Sequence, residues 1–172
     1  YSAFLAPFPQ FENTSKDTLG IDIPFISKTS LPILIHGEPG TGKDQIAALI
    51  YINGEYNNRP YYIIDSENIS EKSWNSMIYS NDSLFVQTRI TIYIKNIDKL
   101  SQSKLSQLKT IISDSQIGSR IKLIFSSNIV PGSKTSKTII DFANSIGTFT
   151  IQIKPVRQRS REELLALITL YI

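Results

Sequence analysis

A glycine-rich segment carries the residues whose types and spacing best fit a chemical task. It reads Gly37-Glu-Pro-Gly-Thr-Gly-Lys43-Asp44, which matches the pattern G-x-x-x-x-G-K with Asp44 where a serine or threonine is usual. Glycines let the backbone curl so that successive amide groups point at phosphate oxygens, and Lys43 can reach the terminal phosphates as a point charge. The predicted phosphate loop consists of Gly37, Glu38, Pro39, Gly40, Thr41, Gly42, Lys43 and Asp44.

The sequence on either side of this loop favours phosphate binding over an ordinary glycine-rich turn. The apolar run 31–36 precedes it as a predicted strand, and a predicted helix with Ile46, Leu49 and Ile50 on one face follows. A phosphate loop needs that context because the helix N-terminus helps to hold the anion. The spacing does not match G-x-G-x-x-G, which argues against NAD or FAD. His36, next to the loop, either ends the strand or contacts the nucleotide.

The elements that position the loop follow from alternating β-rich and helix-length stretches. Continuous apolar runs are typical of strands that are buried on both faces of a parallel sheet. We therefore predict an α/β fold with a five-stranded parallel sheet covered by helices. Further helices are predicted around Trp74, Met77 and Ile78 and over 101–113. The predicted strands are 31–36, 61–64, 90–94, 121–125 and 149–153.

The composition excludes several classes of site. The 172 residues contain no cysteine and one histidine, so thiolate metal sites, cysteine nucleophiles and multi-histidine metal sites are not expected. The net charge of +3 is too small to indicate nucleic-acid binding by itself. No apolar run approaches the roughly 20 residues that span a bilayer. These features favour a soluble, cytoplasmic protein.

Three segments together resemble one protein family. The loop from Gly37 to Asp44 resembles the Walker A motif of bacterial enhancer-binding proteins, the sigma-54-dependent transcriptional activators of the AAA+ class, in which an acidic residue commonly follows the lysine. The strand that ends at Asn128 is similar to the one that carries the family's sensor asparagine. The segment Pro155-Val-Arg-Gln-Arg159 is similar to the stretch that leads into the family's helical lid. The resemblance implies a three-layer P-loop fold, binding of ATP or ADP with Mg²⁺, and roles for Asn128 and Arg159 at the nucleotide.

The segment Ile92-Tyr-Ile-Lys-Asn-Ile-Asp-Lys-Leu100 falls where the family has its Walker B motif. The family's aspartate and glutamate are replaced here by Lys95 and Asn96. An ammonium cannot bind a metal ion, and an amide cannot take a proton from water. These replacements indicate a member that has lost efficient ATP hydrolysis.

Two other functional features of the family are missing. The family's arginine fingers align near Ile139 and Ser145, and the range 138–150 contains no arginine. The family's sigma-54-contacting loop is also absent, because the range 66–90 is short and has no glycine. We therefore expect no catalytic residues in this chain.

Several charged residues leave alternatives open. Lys95 either places its charge beside the phosphates, where it would make nucleotide binding metal-independent, or points to solvent. Asp44 is the remaining candidate metal ligand at the loop, with Asp65 and Asp98 as weaker candidates. The basic cluster at the end of the chain belongs either to the linker and lid or to a DNA contact, and the DNA reader of related activators is a separate domain. This cluster comprises Lys154, Arg157, Arg159 and Arg161.

The predicted organisation has three parts: a leader segment (1–30), the α/β core (31–155) and the start of a helical lid (156–172). The pattern Ser160-x-x-Glu163 predicts the start of the lid helix. The leading functional hypothesis is a nucleotide-binding regulatory domain of a sigma-54-activator-like regulator. It would act through self-association or related AAA+ subunits and the transcription machinery. The alternatives are an ATPase completed by partner subunits and a nucleotide-free interaction module.

Overall fold

A computed structural model of the chain describes residues 21–113, 116–128, 132–162 and 164–165. They include five strands: β1 (Ile33–His36), β2 (Tyr61–Asp65), β3 (Ile90–Lys95), β4 (Ile121–Ser127) and β5 (Phe149–Gln152). The strands form one sheet in the order β2-β3-β4-β1-β5, and all neighbouring pairs are parallel. The predicted parallel five-stranded α/β fold is confirmed.

Helices cover both faces of this sheet. Three of them are preceded by an N-cap serine whose side chain accepts a hydrogen bond from a backbone N–H in the first turn: Ser70, Ser101 and Ser133. Three short 3-10 turns cover Leu84–Val86, Ile97–Lys99 and Val156–Gln158. The helices are α1 (Ile23–Lys28), α2 (Lys43–Ile52), α3 (Glu71–Tyr79), α4 (Gln102–Ile112), α5 (Ile117–Arg120) and α6 (Lys134–Ser145).

The hydrophobic core lies in two layers, one on each face of the sheet. Successive residues of a strand point to opposite faces, so Leu123 and Phe125 join the layer with α3, α4 and α6, whereas Ile124 joins the layer with α1 and α2. All seven residues of β4 are buried. In β3 the first five residues are buried as well, and burial on both faces explains the continuous apolar runs of these central strands.

Helix α1 lies within the range assigned to the leader segment, where the sequence shows little periodicity. Its residues Ile23 and Ile26 are 2% and 3% exposed and pack in the same layer as Ile46 and Ile50 of α2. At the end of α1, the buried ammonium of Lys122 donates hydrogen bonds to the backbone carbonyls of Ile26 and Thr29. Residues 21–28 are thus joined to the sheet by apolar packing and by hydrogen bonds.

The carboxyl ends of the parallel strands meet at one edge, where the site is built. His36 at the end of β1 is paired with Ser127 of β4 and Gln152 of β5, and Asp65 of β2 is paired with Lys95 of β3. No helix within the described residues has the length and apolar character needed to cross a membrane. The predicted lid residues 166–172, the predicted cap Glu163 and the leader residues 1–20 lie outside the described residues.

Candidate functional site

The glycine-rich loop connects β1 to α2 at the carboxyl edge of the sheet, as the sequence predicts. Gly40 and Gly42 have φ values of 75° and 90°, in the left-handed region that favours glycine. Gly37 is needed for a different reason, because a Cβ atom there would lie 2.9 Å from the carbonyl oxygen of Ile153. The loop therefore has the tight turn and the close backbone approach that a phosphate cradle requires.

Lys43, the first residue of α2, lies inside the loop. It is 8% exposed, and its Nζ donates hydrogen bonds to the carbonyl oxygens of Gly37 at 3.0 Å and Glu38 at 2.7 Å. Burial lowers the pKa of Lys43, an effect that the nearby carboxylates of Asp44 and Asp98 oppose. Burial and the charge of Lys43 also lower the pKa of His36, which is therefore neutral at pH 7.

A cleft of about 360 Å³ opens beside the loop. It brings together six of the residues assigned from the sequence: Pro39, Gly40, Gly42, Lys43, Asp44 and Asn128. Lys95 and Asn96, which the family resemblance aligns with the Walker B motif, also line it. Gln45 and Ser126 complete the lining. The loop residues Gly37, Glu38 and Thr41 do not line the cleft, and neither does Arg159, which donates to the Thr41 carbonyl.

Asp44 is held between two donors from β3. Its Oδ2 accepts a hydrogen bond from the Lys95 ammonium at 2.8 Å, and its Oδ1 accepts one from the Tyr93 hydroxyl at 2.6 Å. The Tyr93 hydroxyl is also 2.9 Å from Oγ of Ser126. Burial and the neighbouring Asp44 carboxylate raise the pKa of Tyr93, which stays protonated and remains a donor. The Asp44 carboxylate is therefore fixed in orientation and paired with a cation.

Asn96 joins β2 to the end of β4. It has a left-handed backbone with φ 56°, its Nδ2 donates to Oδ1 of Asp65 at 2.9 Å, and its Oδ1 accepts from Nδ2 of Asn128 at 3.0 Å. Burial alone would raise the pKa of Asp65, but hydrogen bonds from Asn96, from the backbone N–H of Glu67 and from Asn68 lower it. The Asn96 amide thus has a partner on each side.

Asp98 supports the predicted sensor residue. Its Oδ1 accepts from the backbone N–H of Asn128 at 2.8 Å and from the Ser127 hydroxyl at 3.2 Å. Neither Asp98 nor Asp65 lines the cleft. Both carboxylates instead hold the loop ends at the edge of the sheet.

Two arginines of the segment after β5 form hydrogen bonds with the phosphate loop. Arg157 pairs with both carboxylate oxygens of Glu38, at 2.5 and 2.6 Å. Arg159 is 8% exposed and donates to the carbonyl oxygen of Thr41 at 2.7 Å and to that of Lys154 at 3.1 Å. The side chain of Arg159 thus binds the backbone of the loop, whereas the family resemblance implies a contact with phosphate.

A sequence model of the sigma-54 interaction domain matches residues 17–156, most of the 172-residue chain. The chain belongs to the sigma-54 interaction domain family. No curated protein gives a significant match to the sequence.

Solved structures show the P-loop NTPase fold of this sigma-54 interaction domain. NtrX from Brucella abortus in complex with ADP superposes with a TM-score of 0.68 at 15% identity, covering 87% of this chain and 38% of NtrX. The complex of NtrX with ATP gives 0.67 at 15% identity, with coverage of 87% and 39%. The P-loop NTPase domain of a sigma-54 transport activator from E. coli gives 0.56 at 15% identity, with coverage of 78% and 90%. This chain therefore spans less than half the length of NtrX.

Tyr93 and Ser126 take part in the site of this sigma-54 interaction domain without a motif that marks them. The alternation of a strand offers the signal for Tyr93, because residues two apart lie on the same face and Lys95 is already at the strand end. The side chains of Tyr93 and Lys95 both donate to Asp44 in the first turn of α2. Ser126 has no comparable signal, since its role depends on the pairing of β4 next to β3.

The donor groups of the cleft fit a polyphosphate better than a divalent metal ion. The backbone cradle and two lysines suit an anion, whereas each oxygen of Asp44 already accepts a hydrogen bond and one of the donors is an ammonium. Within the described residues there is no cluster of three or more histidine, cysteine, aspartate or glutamate side chains.

Proposed function

We propose that this sigma-54 interaction domain binds ATP or ADP through its phosphate loop and serves as a regulatory module of a bacterial transcription regulator, without efficient ATP hydrolysis. The observation that carries the proposal is the Gly37–Asp44 loop, which joins a buried strand to a helix N-terminus. The ammonium of Lys43 donates hydrogen bonds to the carbonyl oxygens of Gly37 and Glu38 in this loop. That arrangement places backbone donors, a helix dipole and a cation at one anion site.

Support for an adenine nucleotide comes from proteins of the same fold. NtrX from Brucella abortus has been solved with ADP and with ATP. In the proposed complex, the loop glycines, Thr41 and Lys43 hold the phosphates, and Asn128 faces the terminal phosphate from the end of β4. Arg159 positions the loop through its hydrogen bond to the Thr41 carbonyl.

The proposed lack of hydrolysis follows from three replacements. The amide of Asn96 is held between Asp65 and Asn128 and has no basic group with which to activate water. The Lys95 ammonium occupies the position of a metal-binding carboxylate. Ile139, where the family's arginine finger aligns, is 1% exposed in the core, and an arginine finger alone contributes about 10³–10⁵ in rate.

The proposal also concerns the binding partners of this domain and its location in the cell. A regulator of this family would act in the cytoplasm through related subunits and the transcription machinery, and would contact DNA through a separate domain. In this chain the range 66–90 contains α3 and the turn Leu84–Val86, with no glycine-containing loop of the kind that contacts sigma-54 in the resembled activators. We therefore propose regulation through assembly or nucleotide-linked shape change.

Calorimetric titration of the chain with ATP tests nucleotide binding. We expect saturable heat for the wild type and its loss in Lys43→Ala, while the exposed-lysine control Lys72→Ala binds normally. ATP at 100 times its dissociation constant should also add about 2.7 kcal/mol of stability, a rise of roughly 5–10 °C in Tm. Absence of heat together with absence of any thermal shift would contradict the proposal and favour a nucleotide-free interaction module.

Single-turnover measurement of phosphate release tests the second part of the proposal. We expect the wild type to release phosphate no faster than Lys43→Ala. Turnover that disappears in Lys43→Ala, alone or after addition of partner subunits, would instead support an ATPase completed by other chains.

A further inference from the structure

We propose that Lys95 replaces the divalent cation of the nucleotide complex, so that this domain binds the metal-free polyphosphate of ATP. The inference rests on the proposed nucleotide function and concerns the same cleft. It assigns a binding role to a lysine that occupies the position of a metal-binding carboxylate in the resembled family.

The position of Lys95 is the first observation that supports this role. The residue ends β3 and lines the cleft, and its side chain is only 26% exposed. Lys43 lines the same cleft, and burial lowers the pKa of Lys43, with a further lowering from the charge of Lys95. The cleft therefore presents two cations, one from the loop and one from the end of β3.

Asp44 holds the Lys95 ammonium in place. The Asp44 carboxylate is itself oriented by the buried Tyr93 hydroxyl, which donates to the oxygen that Lys95 does not contact. A lysine side chain has many rotamers, and an ion pair with a fixed carboxylate reduces the entropy lost when a phosphate binds. Asp44 thus acts as a positioning residue for the ammonium.

The same pair disfavours a magnesium ion. Mg²⁺ requires oxygen ligands in near-octahedral geometry and is commonly anchored by one or two carboxylates. Here one candidate carboxylate is bound to an ammonium at 2.8 Å, and the other carboxylate position of the family is occupied by the lysine itself. The ion pair with Lys95 offsets the Asp44 charge, which would otherwise attract a dication and repel a polyphosphate.

The test measures ATP affinity with fluorescent mant-ATP in excess EDTA and, separately, in excess MgCl₂. We expect the wild type to bind in EDTA at least as tightly as in MgCl₂. Lys95→Met should bind about 10-fold more weakly in EDTA, the loss of one charge-assisted contact. The matched control Lys99→Met, an exposed lysine in the following turn, should bind like the wild type.

A second variant restores at position 95 the carboxylate that the resembled family carries there. Lys95→Asp places a carboxylate opposite Asp44, so binding should become weak in EDTA and recover in MgCl₂. Thermal melts of each variant verify that the fold is retained, and Lys95→Met keeps the apolar stem of the side chain for that purpose. Recovery by magnesium is an outcome that simple damage to the fold would not produce.

The outcomes separate this inference from the proposed function. Wild-type binding that requires magnesium would overturn the inference and leave the nucleotide function intact. Equal binding of the wild type and Lys95→Met in EDTA would also overturn it, because Lys95 would then make no contact with phosphate. Absence of binding under both conditions would contradict the nucleotide function and, with it, the role of Lys95.

Discussion

At the end of β3, the side chain of Asn96 is hydrogen-bonded on both sides, which gives it a structural role. The carboxylate of Asp65 can only accept, so the amide nitrogen of Asn96 must face it and the amide oxygen must face Asn128. This orientation links β2, β3 and β4 at the edge of the sheet. A carboxylate at position 96 would face Asp65 directly.

The variant Asn96→Asp should therefore lower the free energy of unfolding by about 1–3 kcal/mol at neutral pH, because a donor is replaced by a second charge. The loss should shrink as the pH falls and the carboxylates become protonated. Asn68→Asp is a matched control, since exposed Asn68 donates to the other oxygen of Asp65 at 2.9 Å and should cost less. Urea denaturation measures both, and equal losses would argue against a special role for Asn96.

Lys122 is a buried cation whose ionisation couples to stability. Burial lowers its pKa to about 8 from the ordinary 10.5. Between these values the unfolded chain binds more protons than the folded chain, so the free energy of unfolding should rise with pH, by at most about 1.4 kcal/mol per unit. We expect Lys122→Met to remove this rise in denaturation experiments from about pH 8 to pH 9.5. The same slope in both proteins would contradict this assignment.

At the scale of elements, two arginines connect the segment after β5 to the phosphate loop. Arg159 is buried and satisfies two backbone carbonyls, whereas the Arg157–Glu38 pair has side chains that are 66% and 37% exposed. A buried hydrogen bond leaves an unsatisfied group when it is removed, and an exposed ion pair does not. The two arginines should therefore differ in their effect on stability.

We expect Arg159→Ala to lower the free energy of unfolding by about 1–3 kcal/mol and to weaken ATP binding through displacement of the loop. Arg157→Ala should cost about 0–1 kcal/mol. Exposed Arg161, two residues further on, provides the control Arg161→Ala, for which no change is expected. Chemical denaturation and the ATP titration measure these effects. A larger loss for Arg157→Ala than for Arg159→Ala would contradict this order.

At the scale of the whole molecule, the sheet and the region before β1 form one packed unit in the described residues. Helix α1 supplies Ile23 and Ile26 to the core layer that also contains α2. Gly118 of α5 lies close to the same region, since a Cβ atom there would be 2.6 Å from the carbonyl oxygen of Ser30. The domain boundary at residue 31 remains a prediction from sequence, and the packing of α1 offers a way to test it.

Two adjacent substitutions in α1 test this packing. Ile26→Ala should lower the free energy of unfolding by about 2–4 kcal/mol, because it leaves a cavity in a closed layer. Phe25→Ala should change it by less than about 0.5 kcal/mol, since Phe25 is 65% exposed. Thermal or urea denaturation distinguishes the two. Small effects in both would support a leader segment that is independent of the core.

The fold was predictable because its signals are local. Strands that are buried on both faces, such as β3 and β4, read as continuous apolar runs, and all five strands were predicted close to their observed bounds. Helix α1 gave no comparable signal, since six residues with a proline at the start are too short to establish a helical period. Its helical state is stabilised by burial against α2, which is a tertiary contact.

By itself, the sequence predicted the parallel α/β fold, the family and the glycine-rich loop between β1 and α2, because the signal for each consists of short motifs and apolar runs. Only the tertiary structure decided what surrounds that loop. Lys95 reaches Asp44 across 51 positions, and Arg157 reaches Glu38 across 119. Strand order and register bring these groups together, and the pairing of a cation with Asp44 determines which charges the cleft offers to a ligand.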